Sequence, residues 1–391
     1  MSFPAEDRAT SRTLMRSIAG MCRGPLERGA ALYEVNADSQ DYDSPGFAIS
    51  FMAIFLKQLS GLREARIRVV HDGGLRAAVG WADEISTSQY LRLQHDRPSE
   101  LWGPLLAELL QSLQGHQLPS ALRLLDTSFF ALSTTLLKRN YPDKPMKPGT
   151  AGAKLGMVLD AESCIPVCVR HRIGQDCDTG WVDDLVPPGT PIEGLTFLFD
   201  RGFRKYQFFQ RLIDAKAQFV TRATAQITYE VVKQRRLDRR HPEIISDEVV
   251  VLGTERNRMN SSVRRIELNR FTGKHRRRPP ERLIFLASDL NTPAWELCEL
   301  YRRRWDIETF FRWFKHTIGC VKPMGYTAEA AAHAFYAAIA VYLLVMLVNQ
   351  RMARPTNSRL AGAGLTTTFQ IIRARLDSEP TPEMLEAFGF L

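Results

Sequence analysis

Residues 301–315 read YRRRWDIETFFRWFK, and the spacing inside this stretch decides how the rest of the chain is read. Tyr301, Arg304, Glu308 and Lys315 are separated by three, four and seven positions, so an α-helix would carry all four on one stripe. Leu297, Leu300, Ile307, Phe310, Phe311 and Phe314 supply its apolar side. A carboxylate fixed between two cations suits a phosphodiester: Glu308 can hold a metal ion while Arg304 and Lys315 take the non-bridging oxygens. Tyr301 adds a hydroxyl or a stacking face. An amphipathic helix with a solvated charged side accounts for the same spacing, so the weight of the reading comes from its company.

Two further phrases supply that company. Residues 122–130, LRLLDTSFF, read as a buried strand with Asp126 following the apolar run Leu122 to Leu125. A carboxylate there needs a hydrogen-bonding partner or a metal. Residues 196–203, TFLFDRGF, repeat the pattern, with Asp200 at the end of a strand and a predicted helix from about 204 to 215. Each Asp alone reads equally well as a turn or helix cap. Ligands gather at the carboxyl ends of strands in α/β sheets, and the two acids join a Glu on a basic, aromatic helix. The combination points to metal-assisted phosphoryl transfer on DNA.

In this order, Asp126, then Asp200-Arg201-Gly202-Phe203, then Y-x2-R-x3-E-x6-K, the chain resembles bacterial DDE transposases of the insertion-sequence-4 family. The resemblance is strongest over about 121–223 and 284–350. It implies a ribonuclease-H-like core in which Asp126, Asp200 and Glu308 are the catalytic, metal-binding triad, holding two Mg²⁺ ions for which Mn²⁺ substitutes. Tyr301, Arg304 and Lys315 are then the helix partners on DNA. It also implies a homodimer joining two transposon inverted-repeat ends to target DNA. The chain departs from relatives in two places. Lys154-Leu155-Gly156 stands where they often carry Lys-x-His, and Cys177-Asp178 where they carry His-Asp.

At 391 residues the chain is long enough for two or three packed units. Its formal net charge is +9. That charge is concentrated: residues 224–282 hold 15 Lys and Arg against 8 Asp and Glu, while residues 1–119 hold 12 against 14. A positive field between Asp200 and Glu308 would draw a polyanion. The six cysteines show neither zinc spacing nor a disulfide pattern, which fits cytoplasmic chemistry, and the resemblance implies a bacterial, nucleoid-associated protein. No signal peptide is expected in the Arg-broken first 24 residues. The apolar run Phe335 to Val348 is about 14 residues, short of the roughly 20 that span a bilayer, so it reads as a core helix.

The expected fold is α/β: a ribonuclease-H-like mixed sheet interrupted by an all-β insertion and preceded by a helical N-terminal domain. The boundaries are 1–118 (helical, binding end DNA, with a helix-turn-helix candidate over 73–92), 119–223 and 290–352 (core), 224–289 (basic insertion) and 353–391 (tail with a short helix). Basic positions expected on DNA are Arg201, Arg264, Arg265, Lys274, Arg276 and Arg277, the last five in the insertion. Asp160, a rival acid, reads as a hairpin-turn residue. Two alternatives share these features: a non-catalytic DNA-binding or regulatory remnant, and a metal-dependent nuclease or resolvase that cuts without joining.

Overall fold

The computed structural model describes residues 13–33, 42–114, 120–131, 152–174, 177–270, 281–320, 327–352 and 364–388. They form two compact units. One draws on residues within 1–118, 130–153 and 312–391, and the other on residues within 119–129 and 154–311.

The second unit is organised by a nine-stranded sheet: β1 (Leu122–Ala131), β2 (Gly152–Asp160), β3 (Pro166–Ile173), β4 (Thr196–Phe199), β5 (Gln218–Ala223), β6 (Tyr229–Gln234), β7 (Ile244–Leu252), β8 (Val263–Arg270) and β9 (Glu281–Ala287). The strand order is β3-β2-β1-β4-β5-β9-β8-β7-β6. β1, β4 and β5 run parallel, which explains their nearly unbroken apolar runs, since parallel strands are covered on both faces. The helix Tyr206–Asp214 joins β4 to β5 and buries Phe208, Phe209 and Leu212. β9 pairs antiparallel with β5, so the four strands from 229 to 287 extend the same sheet rather than standing beside it. At the end of that order, β6 carries a register shift between Val231 and Lys233 and leaves Val231 and Val232 exposed.

Asp160 closes the β2–β3 turn. It accepts from the backbone N–H groups of Ser120, Glu162 and Ser163 and pairs with Arg123 at 2.6 Å, which holds its carboxyl below the usual range against the cost of burial. The turn reading of this acid is what the contacts display.

The first unit is helical. The 25-residue helix Ala328–Met352 is long and apolar enough to cross a membrane, yet 94% of its most apolar window is buried inside the protein. It packs against the helices Ser44–Leu56, Gly103–Gln114, Leu365–Arg375 and Pro382–Phe388. At its buried His333, Nδ1 accepts from Trp102 Nε1 at 2.9 Å and Nε2 lies 3.0 Å from the Arg97 carbonyl. The helix Leu14–Leu32 carries Pro25 and was not expected from local pattern. The 73–92 candidate resolves into the helices Gly73–Val79 and Thr87–Asp96. The second is capped by Ser86, which exchanges hydrogen bonds with Gln89.

Arg264 and Arg265, expected at a DNA surface, lie inside the β7–β8 ladder. Arg264 is 1% exposed and grips Asp247 with Nε at 2.7 Å and a second nitrogen at 2.6 Å, and it also donates to the Thr292 carbonyl. Arg265 pairs with Glu248 and Glu267. The reason is cross-strand: each Arg finds its acid on a neighbouring strand or two residues along its own. Breaking such a buried pair strands a charge. Arg264→Ala should therefore lower unfolding free energy by about 3 kcal/mol. Chemical denaturation measures this, and a loss under about 1 kcal/mol would show that the pair adds little.

Candidate active site

The register of β1 against β4 pairs Leu125 with Phe199, so Asp126 and Asp200 each follow by one residue and stand at the same level of neighbouring parallel strands. Phe199 fixes that end of the sheet. Its ring lies 5.6–6.3 Å from those of Phe203, Phe208, Phe209 and Phe219, in offset and edge contacts. Beyond it, Asp200 caps a short turn, Arg201–Phe203, accepting from the Arg201 amide at 2.6 Å. Asp126 accepts from the Thr127 amide at 2.8 Å. β1 continues past Asp126 to Ala131, so this acid lies within a strand rather than at its end.

Glu308 arrives on a helix that is not continuous with Tyr301. The helix Ala294–Arg302 ends, Arg303 and Arg304 form a tight turn with N–H groups bonded three residues back, and the helix Trp305–His316 follows. Three consecutive arginines are drawn to different acids here. Arg302 pairs with Glu299, Arg303 with Glu162 and Asp306, and Arg304 with Glu308 at short range and Asp126 at 3.7 Å. The expected single stripe is thus broken at the residue that bridges two of the three candidate acids.

Burial pushes the Asp126 carboxyl up to about 7, with the charges of Asp200 and Asp178 adding and the Thr127 amide and Arg304 opposing. Tyr301 is 5% exposed, burial pushes its hydroxyl's proton affinity up, and Arg304, Asp200 and Arg222 surround it electrostatically. Its ring meets Phe285 edge-on at 5.2 Å, and Phe285 is the register partner of Arg222. The Nε atoms of Arg222 and Arg304 are buried without a partner among the described residues. Arg222 was missed in the sequence because only the β5–β9 pairing brings it beside Tyr301. Arg201 is exposed. Lys315 belongs to the helical unit, with its ammonium 4.6 Å above the Phe130 ring, and burial lowers its proton affinity. Lys274, Arg276 and Arg277 lie outside the described residues.

A second acid, Asp178, lies beside Asp126. It accepts from the Thr127 hydroxyl at 2.6 Å and pairs with Lys154. Among the described residues, no group of three or more His, Cys, Asp or Glu is arranged as it stands to hold a metal ion. The donor chemistry nevertheless fits a hard divalent cation. The acids offer only oxygen, and Asp126, whose carboxyl burial pushes up to about 7 with smaller contributions from Asp200 and Asp178, is a group whose ionised form a cation would stabilise.

Comparison with known proteins gives this arrangement its context. A protein of Sinorhizobium fredii named as a transposase is 30% identical over 200 residues, half of this chain and 53% of that protein, so the match spans about half the relative's length. A transposase assigned to insertion sequence element IS5377 of Geobacillus stearothermophilus is 23% identical over 278 residues, 70% of each chain. The cryo-EM structure of a piggyBac transposase synaptic complex with hairpin DNA has a TM-score of 0.50 at 10% identity, covering 99% of this chain and 84% of that one, a likeness of fold. Residues 119–344 match the family described as the transposase DDE domain, a family that implies use of a divalent metal. This stretch is more than half of the chain and holds all three candidate acids, and the chain belongs to the DDE transposase domain family.

Proposed function

We propose that this protein is a DNA transposase of the insertion-sequence-4 type that cuts at the ends of its element and joins the freed 3′ hydroxyl to target DNA. The observation that carries the reading is the Leu125–Phe199 register, which sets Asp126 beside Asp200, together with Arg304 reaching from Asp126 to Glu308. The strand order β3-β2-β1-β4-β5, with its last three strands parallel, supports a ribonuclease-H-like core over 119–223 and 290–352. The basic strands of 224–289 are then an insertion that continues the sheet, the helices of 1–118 engage the element ends, and 353–391 form a tail. A homodimer is inferred because two ends must be joined.

Asp126, Asp200 and Glu308 would hold two Mg²⁺ ions, or Mn²⁺ in their place. When bound, such ions activate the attacking oxygen and stabilise the leaving one. The chain's own groups do the rest. Tyr301 and Arg304 present a hydroxyl and a guanidinium to phosphate oxygens. Lys315 and Arg201 add charge along the backbone of the DNA. Release of Arg304 from Glu308 and Asp126 frees the acids for cations and the guanidinium for phosphate.

Asp126→Asn, Asp200→Asn and Glu308→Gln should each abolish Mg²⁺-dependent cleavage of element-end DNA, while gel-shift binding persists. A purified variant that still cuts would refute the assignment. Strand transfer into plasmid DNA separates a transposase from a nuclease that cuts without joining and from a remnant that only binds. Arg304→Ala should weaken DNA binding and reduce the slope of log affinity against log salt by about one unit, and an unchanged slope would place Arg304 off the backbone.

Asp126 also makes a pH prediction. In the unfolded chain its carboxyl releases its proton near 4, but in the fold it keeps it to about 7. The folded state therefore binds more protons over that window, and stability declines as pH rises from about 4 through 7. Without divalent ions, Asp126→Asn should be more stable than wild type at pH 8, by of order 2 kcal/mol, with a flatter melting profile between pH 4 and 7. Equal melting at pH 8 would contradict the raised affinity.

A further inference from the structure

The carboxylate of Asp178 lies against both acid-bearing segments, and the proposed chemistry assigns it no role. Asp178 opens the short turn Asp178–Gly180. The residue after that turn sets its place. Trp181 is fully buried, its N–H donates to the Asp178 carbonyl at 3.0 Å, and a Cβ on Gly156 would come 2.6 Å from its ring. Gly156 is thus the small residue that lets the indole seat against β2.

From this anchored turn the side chain reaches two ways. Oδ1 accepts the Thr127 hydroxyl at 2.6 Å and the Lys154 ammonium. Oδ2 lies against Gly202, where a Cβ would collide with it and come within 3.2 Å of the Asp178 Cβ and Cγ. Thr127 follows Asp126, and its amide holds Asp126 Oδ1 at 2.8 Å. Gly202 sits two positions beyond Asp200, in the turn that Asp200 caps. One carboxylate therefore lies against both acid-bearing segments, hydrogen-bonded through Oδ1 to the Asp126 side and packed through Oδ2 on the Gly202 backbone.

We propose that Asp178 is a positioning residue, which through Thr127 and the Asp200–Phe203 turn keeps Asp126 and Asp200 at the separation a divalent cation needs. This rests on the reading of Asp126 and Asp200 as cation ligands. Outer partners of this kind orient the ligating groups, and their loss commonly lowers metal affinity 10- to 100-fold. Lys154 neutralises the brace and holds it from β2.

The test is Mn²⁺ binding to the full chain without DNA, by titration calorimetry, for wild type, Thr127→Val, Thr127→Ser, Asp178→Ala and Asp126→Asn, with melting recorded for each. Thr127→Val should bind Mn²⁺ about 10-fold more weakly while melting close to wild type, and Thr127→Ser should restore affinity because it returns the hydroxyl. Asp178→Ala should weaken binding at least as much. Should it fail to fold, the two Thr127 variants decide the matter alone. Wild-type affinity in Thr127→Val, or no rescue by Thr127→Ser, overturns the proposal. So does a complete loss in Asp178→Ala with none in Thr127→Val, which would make Asp178 a ligand. Undiminished binding in Asp126→Asn instead overturns the underlying site, separately from the brace.

Discussion

The parallel pairing of β1 with β4 is the constraint on which the candidate site depends. Their register brings Leu125 level with Phe199, and the next residue on each strand is an acid. Asp126 could not be moved by one position along β1 without turning its carboxylate to the other face of the sheet, since alternate residues of a strand face opposite ways. The ring cluster around Phe199 makes that register costly to change, because a slip would unpack four aromatic neighbours at once. The acidic pair is thereby built on rigid elements, and the adaptable part of the site is the Arg304 turn.

That turn shows how the protein tolerates clustered carboxylates without a cation. Arg304 is 7% exposed and joins Glu308 to Asp126, and burial, with the neighbouring Asp200 and Asp178 adding, lets Asp126 hold a proton to about 7. The same guanidinium, whose Nε is buried without a partner among the described residues, lies beside the Tyr301 hydroxyl, which has Arg222 as a further neighbour. Donors left without partners in a buried setting carry a desolvation cost that only an incoming acceptor can recover.

Much of this was legible in the sequence, and the failures share a cause. Apolar runs ending in or around Asp126 and Asp200 located β1 and β4, and the segment carrying Glu308 was helical as its period required. The break at Arg303 and Arg304 was invisible because helical spacing runs unbroken through it, and the acids that pull these arginines aside include Glu162 and Asp126, far away in the chain. Arg264 and Arg265 looked like surface charge for the same reason: Asp247 and Glu248 meet them only across β7 and β8. Asp178 had no assigned role in the sequence, because only folding sets it between Thr127 and Gly202. The helix Leu14–Leu32 holds Gly20, Gly24, Pro25 and Gly29, a composition poor in local preference for helix, so packing rather than propensity must sustain it.

The irregular β6 bears on how the molecule behaves among copies of itself. It is the last strand of the described sheet and shows Val231 and Val232 to solvent, a combination that ordinarily invites another chain to dock by backbone pairing. The extra residue between Val231 and Lys233 bends the strand and interrupts the even rhythm of donors and acceptors that a newcomer would have to match. A sheet already nine strands wide is in this way discouraged from seeding aggregates.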